Sequence, residues 1–276
     1  MNFFESLMYG VISGLTEIFP VSSQANQMVM RHIFGVPQKE PIRDLLVHIA
    51  VFAAIFLACR GMLIKIRREQ VLAYRMRRNP SQIRALKGVY DMRLVRTAAP
   101  IMVVGLFANL FFADFYDRRP LFALVLLLNG ALTLVPTYMH QGNKDARIMT
   151  RGDSMLIGFA AACSAIPGVS RNGAIMFMTL MRKADKNNGV TWALLLTIPA
   201  LIVLMVLDFI SIFTVGIGTV TISVLGGYLV SMLAAFVGAY LAVNTLKVLI
   251  MRSDYSGFAY YDFGLALLTF ALYLIA

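Results

Sequence analysis

Charge is scarce in this sequence. Only 14% of its 276 residues are Asp, Glu, Lys or Arg, while 59% are hydrophobic, a balance that excludes an ordinary soluble domain. Cysteine is rarer still. Cys59 and Cys163 are the only two, and both fall in or beside hydrophobic segments, which argues against a disulfide framework. No Cys/His metal spacing, P-loop or dinucleotide fingerprint occurs. The N-terminus also lacks the basic start of a cleavable signal and carries Glu5 and Glu17 instead.

What is present is long apolar runs. A spanning helix needs roughly 20 apolar residues, and such runs occupy about 43–60, 94–113, 120–138, 190–210, 220–246 and 258–276. Two more, about 3–34 and 154–181, are interrupted by Pro, Gly, Ser and charge. The formal charge of +11 is concentrated, with eleven Lys/Arg in the stretch 60–96. Few aromatics are interleaved there, so a cytoplasmic loop facing anionic lipid is expected and a nucleic-acid partner is not.

Placing 60–96 inside orients the rest. If 154–181 enters and leaves the bilayer on one side, 19 Lys/Arg fall inside and five outside (Arg31, Lys39, Arg43, Arg118, Arg119), with Arg171 set apart in a motif. That asymmetry favours both termini outside.

The interrupted segments are related. Residues 10–25 read GVISGLTEIFPVSSQA and 158–173 read GFAAACSAIPGVSRNG; at a constant offset of 148, Gly10 meets Gly158 and Ser22 meets Ser170. Three spans follow each copy, an odd number, so the second copy enters from the opposite face. The expected fold is an all-α polytopic membrane protein: six transmembrane helices plus two re-entrant helical hairpins in an inverted repeat. It forms one integral membrane domain over 1–276, with repeats at about 1–139 and 154–276. Irregular backbone at membrane depth must be buried in protein or line a wet cavity. Pro20 and Pro167–Gly168 each end a helix, and Ser22, Ser23 and Ser170 can start the next. Two helix N-termini brought together would suit an oxyanion or phosphate.

Glu17 and Arg171 are the charges inside the broken segments. An intramembrane charge is by default a functional hypothesis, though a Glu17–Arg171 pair that only staples the hairpins together is the alternative. Arginine offers a planar fork suited to phosphate. Glu17 is a candidate base or ligand of a divalent cation. His48, within DLLVHIAV, is either a hydrogen-bonded core residue or a member of the site. His32 lies just beyond the first break, and His140 is expected to be uninvolved.

Together, GLTEIFPVSS and PGVSRNGA resemble the two signature motifs of the bacterial undecaprenyl-pyrophosphate phosphatase family. DLLVHIAVFAA (44–54), APIMVVGLF (99–107), WALLLTIPA (192–200) and AVNTLKVLI (242–250) extend the resemblance over nearly the whole chain. The resemblance implies six spanning helices, two re-entrant hairpins and removal of a phosphate from the C55 lipid-carrier pyrophosphate at the outer face of the bacterial plasma membrane. It also implies a divalent cation, Mg²⁺ or Ca²⁺. Carried onto this chain, Glu17, Ser23 and His48 are the catalytic candidates, with Glu17 the metal ligand. Ser22, Asn26, Ser170, Arg171, Asn172 and Gly173 are the phosphate-binding candidates. The expected partners are a polyprenyl phosphate or pyrophosphate lipid, the membrane and a second copy in a homodimer.

The motifs also depart from the family pattern. Ser13 stands where the family has Glu, Ala25 for Gly, Asn26 for His, Ala161 for Gln, Asn172 for Ser and Ile175 or its neighbour for Thr. The first Glu and the His are proton-handling groups, so weak hydrolysis is expected. A non-hydrolysing binder or flippase of polyprenyl phosphate lipids is the alternative.

Overall fold

The computed structural model describes residues 2–36, 40–78, 80–117, 119–139, 142–216, 221–251 and 255–275. Among these, helices account for nearly all regular structure. They are α1 (Phe3–Ile18), α2 (Ser23–Ile33), α3 (Pro41–Arg75), α4 (Pro80–Ala85), α5 (Lys87–Leu106), α6 (Arg119–Tyr138), α7 (Arg151–Ala162), α8 (Arg171–Met181), α9 (Lys186–Val215), α10 (Ile222–Met251) and α11 (Ser256–Ile275). Short 3₁₀ stretches follow α5 and α7. Six helices, α3, α5, α6, α9, α10 and α11, are long and apolar enough to cross a bilayer, as the six apolar runs predict. Large side chains such as Phe111, Ile222, Leu233 and Leu267 are exposed on their outer surfaces, where lipid rather than water is the natural solvent. The chain is a multi-pass membrane protein.

The basic stretch 60–96 differs from the expected loop. α3 runs on to Arg75, α4 follows, and α5 already starts at Lys87. The cause lies in the residues: KIRREQVLAYR is rich in strong helix formers and has no breaker before 76. His140, Lys39, Arg118 and Arg252 lie outside the described residues.

Each interrupted segment is two helices around a break. Asn2 caps α1 in a reciprocal capping box with Glu5, and Thr150 caps α7 in the same box with Asp153. Ser22 caps α2 through Ala25 N, and Ser170 caps α8 through Gly173 N. Both pairs of caps keep the offset of 148. Gly168, at φ +104°, supplies the left-handed backbone of the second break.

The first helix of each segment packs on a partner from the opposite half of the chain. α1 lies against α10, and α7 against α5. Contact is backbone to backbone. A Cβ on Gly10 or Gly14 would fall 2.3 Å from Ser231 O and 2.2 Å from Ala235 O, and one on Gly158 would fall 2.4 Å from Ala98 O. Apolar burial does little to hold helices together in lipid, so close approach at small residues supplies the packing energy instead. The breaks are fixed in the same crossed manner. Ser170 N donates to Asn129 of α6 at 2.7 Å, Asn129 Nδ2 donates to Asp262 of α11 at 2.6 Å, and Asp262 in turn faces the Ser22 amide.

Candidate phosphate site

The two breaks meet side by side. Asn172, in the first turn of α8, donates from Nδ2 to the carbonyls of Glu17 (3.1 Å) and Ile18 (2.8 Å). Those carbonyls end α1 and have no partner within their own helix. The other end of the amide, Oδ1, accepts from Thr197 Oγ1 at 3.0 Å, so Asn172 ties α1, α8 and α9 together.

This junction borders a cavity of about 390 Å³, a size normal for a small-ligand site. Glu17, Ser23, His48, Ser170, Arg171 and Asn172 all line it, together with Gln24, Gln27 and Asp208. The first residues of α2 and α8 thus line it, and by position their N–H groups have no intrahelical acceptor. Both helix N-termini therefore present partial positive charge to one space.

Glu17 sits at the centre of a polar chain. Its Oε2 lies 3.3 Å from Arg171 Nη2, its Oε1 lies 3.8 Å from His48 Nε2, and the Ser23 hydroxyl faces the same carboxylate. The Glu17–Arg171 pair that the sequence allows is thus formed, but it occupies only part of the guanidinium. Arg171 Nε is buried with no partner in the protein, an orphan donor of the kind that an incoming oxyanion would satisfy. His48 is fixed from its other side: Nδ1 is 2.5 Å from Asp208 Oδ2. If that nitrogen carries the proton, Nε2 is the free basic nitrogen facing Glu17 and the cavity.

Asp208 was not among the sequence candidates. Its signal was available, because it is a carboxylate within the apolar run 190–210, and a charge at membrane depth is a functional hypothesis wherever it falls. Arg31 and Asp44 also line the cavity and pair at 2.5 Å, with Tyr9 donating to Asp44 at 2.9 Å.

Three expected phosphate ligands are not on the cavity wall. Ser22 and Gly173 are consumed in the caps of α2 and α8. Asn26 is buried away from the cavity, its Nδ2 bonded to Ser22 O at 2.8 Å and its Oδ1 accepting from Tyr261 of α11. Ser13, one turn before Glu17, is buried with an unpartnered hydroxyl and also lies off the cavity.

The expected metal ligand was Glu17. Among the described residues no group of three or more His, Cys, Asp or Glu forms a metal-holding cluster. Glu17 itself is flanked by a guanidinium and an imidazole. That donor set does not fit a divalent cation held by protein groups alone, which asks for several oxygen ligands.

The family described as bacitracin resistance protein BacA matches residues 6–268. The undecaprenyl-diphosphatase of Alkaliphilus metalliredigens is 26% identical, with 95% of each chain covered. Undecaprenyl-diphosphatase 3 of Bacillus cereus is 26% identical over 99% of this chain and 98% of its own. Undecaprenyl-diphosphatase 1 of Shouchella clausii is 28% identical over 98% and 96%. With its two capped helix breaks facing one cavity and this match along nearly its whole length, the chain belongs to the bacitracin resistance protein BacA family.

Proposed function

We propose that this protein is an undecaprenyl-diphosphate phosphatase of low turnover, working on the C55 lipid carrier at the outer face of the plasma membrane. One observation carries the reading. Glu17, Ser23, His48 and Arg171, drawn from both broken segments and α3, share a single cavity at two helix N-termini.

In this reading the terminal phosphate of the diphosphate lies against the first amides of α2 and α8 and takes the free Nε of Arg171. The Ser23 hydroxyl attacks its phosphorus while Glu17 accepts the hydroxyl proton. The bond from phosphorus to the bridging oxygen breaks, and polyprenyl monophosphate leaves. Water then releases the phosphate from Ser23, with the proton returned through Glu17 and His48. Asp208 holds the imidazole in register throughout. A divalent cation, Mg²⁺ or Ca²⁺, would arrive with the diphosphate and screen its charge, and EDTA titration of phosphate release tests that part.

The membrane arrangement belongs to the same proposal. The two helix–break–helix units are re-entrant hairpins of an inverted repeat. The crossed packing of α1 on α10 and α7 on α5 supports this, as do the matching caps. Both termini lie outside and the 60–96 segment inside. In a background lacking Cys59 and Cys163, Tyr116→Cys should react with an impermeant outer reagent and Pro80→Cys should not. Labelling at position 80 in intact cells would reverse the orientation.

Asn26 gives the carrier alternative its one specific support. Both ends of its amide are engaged, and amides do not exchange protons near neutral pH. A protein that binds the C55 diphosphate yet releases no phosphate would be a binder or flippase of these lipids.

A further inference from the structure

A second space lies on the other side of the first break. It has a volume of about 450 Å³ and is lined by Ile12, Leu15, Phe19 and Val21 from α1 and the break. Leu249 of α10 and Gly257, Phe258 and Tyr261 of α11 complete it. Its one polar side chain is already satisfied, because the Tyr261 hydroxyl donates to Asn26. What remains is a hydrocarbon-lined groove, with Phe19 and Phe258 in ring contact at 5.1 Å.

Its position relative to the polar cavity is informative. Phe19 and Val21 line both spaces, so the two meet at the break. The cavity extends from there past Asp208, Ser211 and Thr214, toward the C-terminal end of α9 and the start of α3 at Pro41. The groove extends toward Leu249 and Gly257, at the connection between α10 and α11. Successive spanning helices reverse direction, so these are opposite ends of the bundle. Beyond the break, the hydrocarbon surface therefore continues along the membrane normal, away from the end to which the phosphate-binding cavity extends. That is the order of head and tail in a lipid.

We propose that this groove holds the first isoprene units of the polyprenyl chain, while the phosphate head occupies the cavity beyond Phe19 and Val21. The inference rests on the proposed substrate class but not on hydrolysis. It also gives Asn26 a role: by holding the Tyr261 hydroxyl, it keeps that ring as a groove wall. A lipid in one leaflet already points its tail towards the other, and the groove runs that way. Its volume suits the head-proximal part of the chain, with the remainder in bilayer.

The probe is a C55 polyprenyl monophosphate carrying a diazirine on its second isoprene unit, photolysed with the full chain in lipid nanodiscs and mapped by peptide mass spectrometry. Label is expected on peptides containing 12–21 and 249–261. Gly257→Phe projects a ring into open space, since a Cβ there meets nothing within 4 Å, and should cut that labelling at least fivefold. Leu249→Trp should do the same by an independent route if the first variant folds poorly. Gly226→Phe, equally unobstructed but away from the groove, should label as the parent does. Label spread over lipid-facing helices, or groove label indifferent to both filling variants, would overturn the proposal. Because labelling needs no turnover, groove label without phosphate release would count against the phosphatase reading alone.

Discussion

His48 and Asp208, 160 positions apart in the chain, meet at 2.5 Å between α3 and α9, and the free face of the imidazole is turned to Glu17 at 3.8 Å. A carboxylate that orients a histidine acts through it, so the two should behave as one unit. Loss of a positioned proton-transfer group typically costs about 10²–10⁴ in rate. His48→Asn is expected to lower kcat for phosphate release by about 10²-fold, and Asp208→Asn by nearly as much. The double variant should be little worse than either single one. Effects that multiply would show the two residues acting independently.

Arg171 has a free Nε beside its bond to Glu17, so its contribution to binding should depend on the fork and not only on charge. Arg171→Ala should abolish binding of the diphosphate lipid, measured by microscale thermophoresis in nanodiscs. Arg171→Lys should recover less than a tenth of the parent affinity. Full recovery by Lys would make the residue a point charge or a staple. Melting temperatures taken alongside separate the staple role, which both variants would also weaken.

The α1–α10 contact tolerates no side chain at Gly14, where a Cβ would fall 2.2 Å from Ala235 O. Gly14→Ala should destabilise the protein by about 1–3 kcal/mol through overpacking. Gly61→Ala, in open space on α3, should stay within about 0.5 kcal/mol of the parent. Thermal melts of both in one detergent make the comparison. Equal melting temperatures would mean that the two helices are not packed this closely.

At the start of α7, burial pushes the Asp153 carboxyl up, but the Thr150 amide and hydroxyl and the Arg182 guanidinium outweigh it and hold the pKa below its ordinary value. A depressed carboxyl stabilises the fold above the unfolded pKa of about 3.9, and that stability disappears as pH falls through the folded value. Asp153→Asn should therefore cost about 1 kcal/mol at pH 7. The gap to the parent should narrow progressively below about pH 4. A gap of constant size across that range would assign the cost to packing.

Much of this arrangement is legible in the sequence, for identifiable reasons. Spans show because 20 apolar residues have few other uses, and the breaks show because Pro20 and Pro167 stand beside capping serines. The matching N-terminal caps do not show by identity, since Asn2 with Glu5 and Thr150 with Asp153 do one job with different residues. Asp208 could have been found by the rule that picked Glu17, but its partner lies 160 residues away and only packing joins them. Asn26 went the other way. Ser23, Gln27 and Arg31 repeat at four-residue spacing along the cavity face of α2, whereas Asn26 lies on the flank turned to Tyr261. Motif position alone does not report that rotation.

The most direct test is phosphate release from C55 diphosphate by the purified full chain, compared with Arg171→Ala under the same conditions. The account predicts measurable release by the parent, slower than the roughly 10 s⁻¹ typical of enzymes, and none above background by Arg171→Ala. Tight lipid binding with no phosphate released by either protein would contradict it.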